Sequence, residues 1–381
     1  SMSVPQLSFV LVLAILALPP TDATEPRPTV QPAQKIGKPI DRDPKIFRLD
    51  VVPDADGFLA IHRDVIDDAT FVRLQLIVDA PTTIDTLAVR VKATTNGTSE
   101  TIDLKGTEGK REIWTLLIPG YKYRLDVIGG TQPPGTTLTI QTTVRNAEFL
   151  GMESTVGALD LEQLKAAPDE ALRKAGRATA LLIYEQGMIH RVCTAFLIGP
   201  SRMVSNRHCL SSQRACNNAV VAFDFDEGLT VPFDRQRRCS LLKSDDATDF
   251  AVFELQAPSD PTIAPLRFSS ATPAAGTKLV VIQHPNGEPK KYVRKECAVV
   301  KSKVKGYGAE TDFTHSCDTA DGSSGAAVMT EDFMVVGLHH LARGGSQPEY
   351  NRAVRVEALL QQLRAWGMGG RSPPTTVSES E

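Results

Sequence analysis

The chain of 381 residues is 41% hydrophobic and 23% charged, enough apolar side chain for a packed core, which excludes wholesale disorder. At about 150 residues per domain, that length predicts two domains or three. The 42 basic and 45 acidic residues leave a net charge of −3, so nothing electrostatic points to nucleic acid or an anionic membrane as the main partner. The 6 cysteines permit disulfides without establishing them.

Met2 reads as the natural start. The uncharged run Leu7–Leu18 is too short to span a bilayer, which takes about 20 residues. Pro19-Pro20 stops it, and Thr21-Asp22-Ala23 offers small residues at −3 and −1 of a cleavage point. Residues 1–23 are therefore expected to be an export signal, although no Lys or Arg precedes the apolar run. The mature protein is then secreted or periplasmic, with no membrane association once the signal is removed.

Residues 24–44 are rich in Pro and charge and read as a linker. From 45 to 150 the pattern is β. In Leu87-Ala88-Val89-Arg90-Val91 and Leu138–Val144 the larger apolar residues fall at every second position, with turns at Asn96-Gly97, Gly129-Gly130 and Pro133-Pro134-Gly135. A small antiparallel β-sandwich is expected, without chemistry of its own. Residues 151–177 read as a connecting segment holding two short helical turns on either side of Pro168. Strand patterns resume at Ala180–Tyr184 and Thr194–Ile198. Apolar positions 356, 359, 360, 363 and 366 form one helical stripe ending before Gly367. The tail, 370–381, is polar and expected to be disordered, and no internal repeat is found.

The chemistry lies in the second half. Asp321-Gly322-Ser323-Ser324-Gly325 sets a serine in a glycine-bracketed turn before the apolar run Ala326–Met329, where backbone N–H groups can converge beside a hydroxyl. A serine needs a base, and His208 stands out among the histidines because it follows an apolar strand and adjoins Cys209. A Cys193–Cys209 disulfide would staple the strand ends and fix the imidazole. Asp249 precedes the strand-like Phe250–Leu255, which would draw it into a core, where a carboxylate must be hydrogen-bonded. Each of these features taken singly has an ordinary structural reading.

Together the order His208, Asp249, Ser324, the cysteine bracket and the C-terminal helix resemble the chymotrypsin-like serine peptidases over about 178–369. Val204-Ser205-Asn206-Arg207-His208, Thr248-Asp249-Phe250-Ala251-Val252 and Asp318–Gly325 are similar to motifs of the V8-like, glutamyl-endopeptidase-like bacterial branch. Gln283–Gly287 and Gly337-Leu338-His339-His340 are also typical of it. The resemblance implies a mainly β protein with a double β-barrel, whose cleft holds Ser324 as nucleophile, His208 as base and Asp249 as its orienter. The N–H groups of Gly322 and Ser324 would form the oxyanion hole. Ala326-Ala327 departs from the branch's usual Ser-Pro or Gly-Pro. Ser323 stands where trypsin-type zymogens carry an aspartate for a newly made N-terminal amine, so removal of 24–150 is not expected to order the pocket through that pair.

For specificity, Thr319 and His339 occupy the positions that receive an acidic P1 side chain in the glutamyl enzymes. The rival is Asp318, where trypsin-like enzymes place the anion for a basic P1. His340 either flanks the pocket or faces solvent, and His62, His190, His284 and His315 read as structural. Cys216, Cys239, Cys297 and Cys317 permit three connectivities, of which nearest-neighbour pairing, Cys216–Cys239 and Cys297–Cys317, is expected. No Cys-x-x-Cys or His-Glu-x-x-His spacing occurs, so no metal or cofactor is expected. The N-terminal β domain faintly resembles accessory or pro-domains of secreted bacterial peptidases. The expected function is a secreted serine endopeptidase acting on protein or peptide. The alternative is a secreted binding protein on a peptidase-like scaffold.

Overall fold

A computed structural model describes residues 35–368, apart from 40–42, 67–68, 147–159, 187–188, 229–230, 308 and 342–349. The expected signal, most of the linker and the tail lie outside the described residues.

The first barrel is built from antiparallel neighbours. Thr179–Gln186 pairs with Ile189–Leu197, which pairs with Arg202–Asn206, then Phe250–Leu255, then Cys239–Asp245. On its other edge Thr179–Gln186 pairs with Val220–Ala222, which pairs with Gln236–Arg237. Because Gln236–Arg237 runs almost directly into Cys239–Asp245, the sheet closes on itself. The second barrel follows the same plan: Lys291–Val293, Leu279–Gln283, Ala327–Thr330, Met334–Leu341, Asn351–Arg355, Asp312–His315 and Val299–Val304 are successive neighbours. A bridge between Lys278 and Ala298 and a bond from the Leu279 N–H to the Cys297 carbonyl (2.8 Å) close the ring. The helix Val356–Ala365 docks Leu359 and Leu363 into the core and ends before Gly367, whose φ is +70°. The two helical turns expected around Pro168 are Leu164–Ala166 and Glu170–Gly176, the latter capped by Asp169 accepting from the N–H groups of Ala171 and Leu172.

In the N-terminal region, one sheet consists of Phe58–Val65, Lys122–Gly129, Leu87–Ala93 and Ser99–Asp103. It faces Thr137–Asn146, Ala69–Ala80 and Gly109–Trp114 across an apolar core, the expected sandwich. Its continuity with the first barrel is not foreshadowed by any local pattern. The strand Lys35–Pro39 pairs on one side with Thr137–Asn146 and on the other with Ile189–Leu197, so a single sheet runs through both regions. The sandwich core also takes in Leu181, Ile183, Val192, Val220 and Ala222 from the outer face of the barrel.

All three expected disulfides form, Cys193–Cys209, Cys216–Cys239 and Cys297–Cys317. They leave no free cysteine.

Candidate active site

Two antiparallel strands bring His208 and Asp249 together. Arg202–Asn206 pairs with Phe250–Leu255 in a register that sets Asn206 opposite Phe250, so the residues just after one and just before the other emerge side by side. The Asp249 carbonyl accepts from the Arg207 N–H at 3.0 Å and from Asn206 Nδ2 at 3.1 Å. Its carboxylate grips His208 at two points. Oδ1 accepts from the backbone N–H at 2.9 Å, and Oδ2 from Nδ1 at 2.7 Å. That second bond puts the ring proton on Nδ1 and leaves Nε2 as the lone-pair nitrogen. Among the described residues Nε2 has no hydrogen-bond partner. Burial pushes the Asp249 carboxyl up, but His208 and His340 outweigh it and hold it well below the usual carboxylate range.

Ser324 lies on the turn that feeds Ala327–Thr330, and this turn is pressed against the first barrel. The Ser324 carbonyl accepts from the Thr194 N–H at 2.8 Å, while the Gly325 N–H donates to the His339 carbonyl at 2.8 Å. Gly325 has φ +86°, and a Cβ there would lie 2.1 Å from the Thr194 carbonyl, 2.3 Å from Ser205 Oγ and 3.3 Å from the Asn206 N. Only glycine permits that approach, which seats the serine turn against the strand end leading to His208. The Gly322 and Ser324 N–H groups donate to no acceptor among the described residues. Thr194 Oγ1 donates to the Gly322 carbonyl at 2.9 Å and thereby fixes that peptide. Ser323 is fully buried, and its Oγ accepts from the Ala320 N–H at 3.1 Å, closing the turn from within.

The candidate specificity residues divide. Thr319 Oγ1 is buried without a partner among the described residues. His339 is buried with Nδ1 3.3 Å from His315 Nε2. Burial, with His315, His340 and His208 close by, drives its pKa well below the ordinary value, so the ring is neutral. The Asp318 carboxylate turns aside and accepts from the Asp160 N–H at 3.0 Å. His340 does not face solvent. It is 2% exposed and lies between Asp249 and Asp312. The pairing of Met334–Leu341 is irregular at this point: His339 stands opposite Ala353 and Leu341 opposite Arg352, which leaves His340 as the extra residue of a bulge.

His284 is buried, stacked on Phe225 at 6.1 Å, and bonded through Nδ1 to the Glu288 carbonyl. His62 packs with Phe47 and Tyr123, and His190 with Trp114. Cys193, His208 and Cys209 place donor atoms within 4.8 Å of one another, but the two sulfurs are bonded together and are not thiolate ligands. Nothing in the local sequence of Asp312 or His315 marks either as a site residue. Their roles depend on which strands become neighbours.

Residues 193–338 match the family model described as a trypsin-like peptidase domain. The uncharacterized protein y4fB of Sinorhizobium fredii is 33% identical over 168 residues, 39% of this chain and 24% of that protein. Secreted RxLR effector protein 73 of Plasmopara viticola is 28% identical over 210 residues, 51% of each chain. The chain thus spans about a quarter and a half of the lengths of these relatives. Among solved structures, the active form of the Rv3671c protease from M. tuberculosis is similar at 19% identity and TM-score 0.41, covering 58% of this chain and 96% of that one. An inactivated protease paralogue of the scabies mite is similar at 14% identity and TM-score 0.41, covering 50% and 94%. The disulfide between positions 193 and 209 and the turns at 208, 249 and 324 all lie within the stretch that matches the trypsin-like peptidase domain model.

Proposed function

We propose that the chain is a serine endopeptidase in which Ser324 attacks the scissile carbonyl and His208 takes its proton. His208 then gives that proton to the leaving amine as the peptide C–N bond breaks, and the acyl-enzyme so formed is released by water activated in the same way. The observation that carries this reading is the two-point grip of Asp249 on His208, which leaves Nε2 without a partner among the described residues and available as a base. The N–H groups of Gly322 and Ser324 supply the oxyanion hole, where each donor contributes about 3 kcal/mol of barrier lowering. Ser323, bonded inside its own turn, supports an oxyanion loop that is ordered without a new N-terminal amine. Export is the reading best supported by the disulfides, which persist in oxidising compartments. Among the described residues no helix is long and apolar enough to cross a membrane.

The finer reading is a glutamyl-endopeptidase-like preference for an acidic P1 side chain. Thr319 Oγ1 offers an unengaged hydroxyl, and the neutral His339, 3.3 Å from His315, can take up a proton when a carboxylate enters. A basic P1 would need Asp318, whose carboxylate is already bonded to the Asp160 N–H.

Labelling with a fluorophosphonate probe tests the reaction. The wild type is expected to react and Ser324→Ala to be inert, whereas an inert wild type would favour the binding-scaffold alternative. Cleavage of a mixed peptide library tests the pocket. Cuts after Glu or Asp are expected, with Thr319→Val weakening that preference by about tenfold, the effect of one lost hydrogen bond to a charged group. Cuts after Lys or Arg would reverse the assignment.

A further inference from the structure

Behind the His208–Asp249 pair lies a second imidazole–carboxylate pair. His340 Nε2 donates to Asp312 Oδ2 at 2.9 Å, and its Nδ1 stands 3.5 Å from Asp249 Oδ2, the oxygen that also receives the His208 ring. Asp312 and Asp249 are themselves buried, 1% and 3% exposed. Asp312 comes from the strand Asp312–His315 and Asp249 from the turn before Phe250–Leu255. Asp312 Oδ1 also accepts from Thr311 Oγ1 at 3.0 Å. The Tyr307 ring meets His340 edge-on at 5.5 Å, with its hydroxyl buried and unpartnered among the described residues. His339 adjoins it on the same strand and is neutral. Among the described residues, the groups facing His340 thus comprise two carboxylates, one phenol and one neutral imidazole.

Two buried carboxylates flanking one imidazole favour its protonated form, which alone presents an N–H to each. We propose that His340 is a positioning residue, an imidazolium clamped between Asp312 and Asp249 that fixes the Asp249 carboxylate for His208. The proposal rests on the triad reading. The clamp has two effects that can be measured separately. It stops the carboxylate from rotating away from the His208 ring. It also neutralises part of the Asp249 charge that faces the His208 ring. The direction of the His340 shift agrees: burial lowers its pKa, but Asp312 and Asp249 together raise it to about 9.

The test uses the rate of fluorophosphonate reaction with the full chain as a function of pH, in wild type, His340→Gln and the isosteric Asp312→Asn. Both variants are expected to react more slowly by roughly tenfold or more, the scale of a displaced catalytic group. The midpoint of the acid limb is expected to rise by about half to one pH unit as the Asp249 charge facing His208 is no longer neutralised in part. The double variant should lose little beyond the slower single one, because both changes disable one clamp. A residue that merely fills space would lower the rate or the melting temperature without moving the midpoint. The wild type provides a check that needs no substituted protein to fold. In nitrogen-15 histidine spectra, His340 should remain protonated to about pH 8. A His340 that becomes neutral below about pH 7, or variants with the wild-type midpoint, would overturn the clamp. A wild type that never reacts with the probe would instead overturn the triad reading.

Discussion

Asp249 carries a φ of +47°, a left-handed conformation that few side chains other than Asn and Asp tolerate well. That turn lets its carbonyl meet Arg207 and Asn206 while its carboxylate reaches back to His208, so the strain is spent on orienting the base. Two neighbouring ionisations give the site a pH signature. An unfolded histidine titrates near 6.5, whereas His340 holds its proton to about 9 in the folded protein. Its contribution to stability is therefore complete below about pH 6.5 and lost as pH rises through about 9. Asp249, held below its ordinary range, contributes in the opposite sense, above about pH 4, and that contribution is lost on acidification. The melting temperature is expected to fall steadily from about pH 6.5 to 9, and the fall should flatten in His340→Gln; calorimetry across that range checks it. The proposed triad of His208, Asp249 and Ser324 is legible in the sequence because a candidate nucleophile, base and buried acid are chemically distinctive and occur in the order that the resemblance supplies. Asp312 is not, since an aspartate between Thr311 and Phe313 resembles many a strand end until the second barrel closes around it.

At the scale of elements, alternation and turn chemistry locate Leu87–Ala93, Thr137–Asn146 and Phe250–Leu255, and the stripe at 356–366 locates the last helix. The hairpin bracket Cys193–Cys209 and nearest-neighbour pairing of the other four cysteines anticipate all three disulfides. The Cys193–Cys209 bridge ties the strand Ile189–Leu197 to the turn that carries His208, across a sequence separation of 16. Replacing both cysteines by serine is expected to cost about 3 kcal/mol in denaturant unfolding, from the freed loop in the unfolded chain. It should also slow fluorophosphonate labelling, because the base loses one of its two anchors. Ala180-Leu181-Leu182-Ile183-Tyr184 carries more information than its strand assignment alone. It is apolar without alternation, the pattern of a strand buried on both faces. Leu182 enters the barrel core, while Leu181 and Ile183 enter the core of the N-terminal sandwich. The missing alternation is thus the local mark of a second covering layer.

For the molecule as a whole, that layer makes the sandwich part of the barrel's framework. Gln236 in the barrel exchanges bonds with both the N–H and the carbonyl of Leu117, each at 2.8 Å. Arg73, fully buried, donates to the carbonyls of Thr115 and Asn218 and pairs with Glu185, which also meets His190. Arg238 pairs with Glu100 across the same seam. A buried ion deprived of its partner is costly, so Arg73→Ala is expected to destabilise the protein by about 3–5 kcal/mol. Replacing Arg73 and Glu185 together by apolar residues should recover much of that loss, as denaturant melts of the single and double variants would report. A polypeptide beginning at Asp160 would leave Leu181, Ile183, Val192 and Val220 facing water, which argues against treating the N-terminal half as a detachable prosegment.

The strand Lys35–Pro39 has a further consequence for biogenesis. Its partner on the barrel side includes Arg191, so the first described strand cannot complete its pairing until the chain through that residue has left the ribosome or the export channel. Contacts of such long sequence separation slow folding because loop closure precedes any gain from pairing. During that interval the unsatisfied edge of Thr137–Asn146 is open to other polypeptides. Docking of Lys35–Pro39 then covers that edge and the facing edge of Ile189–Leu197 in one step.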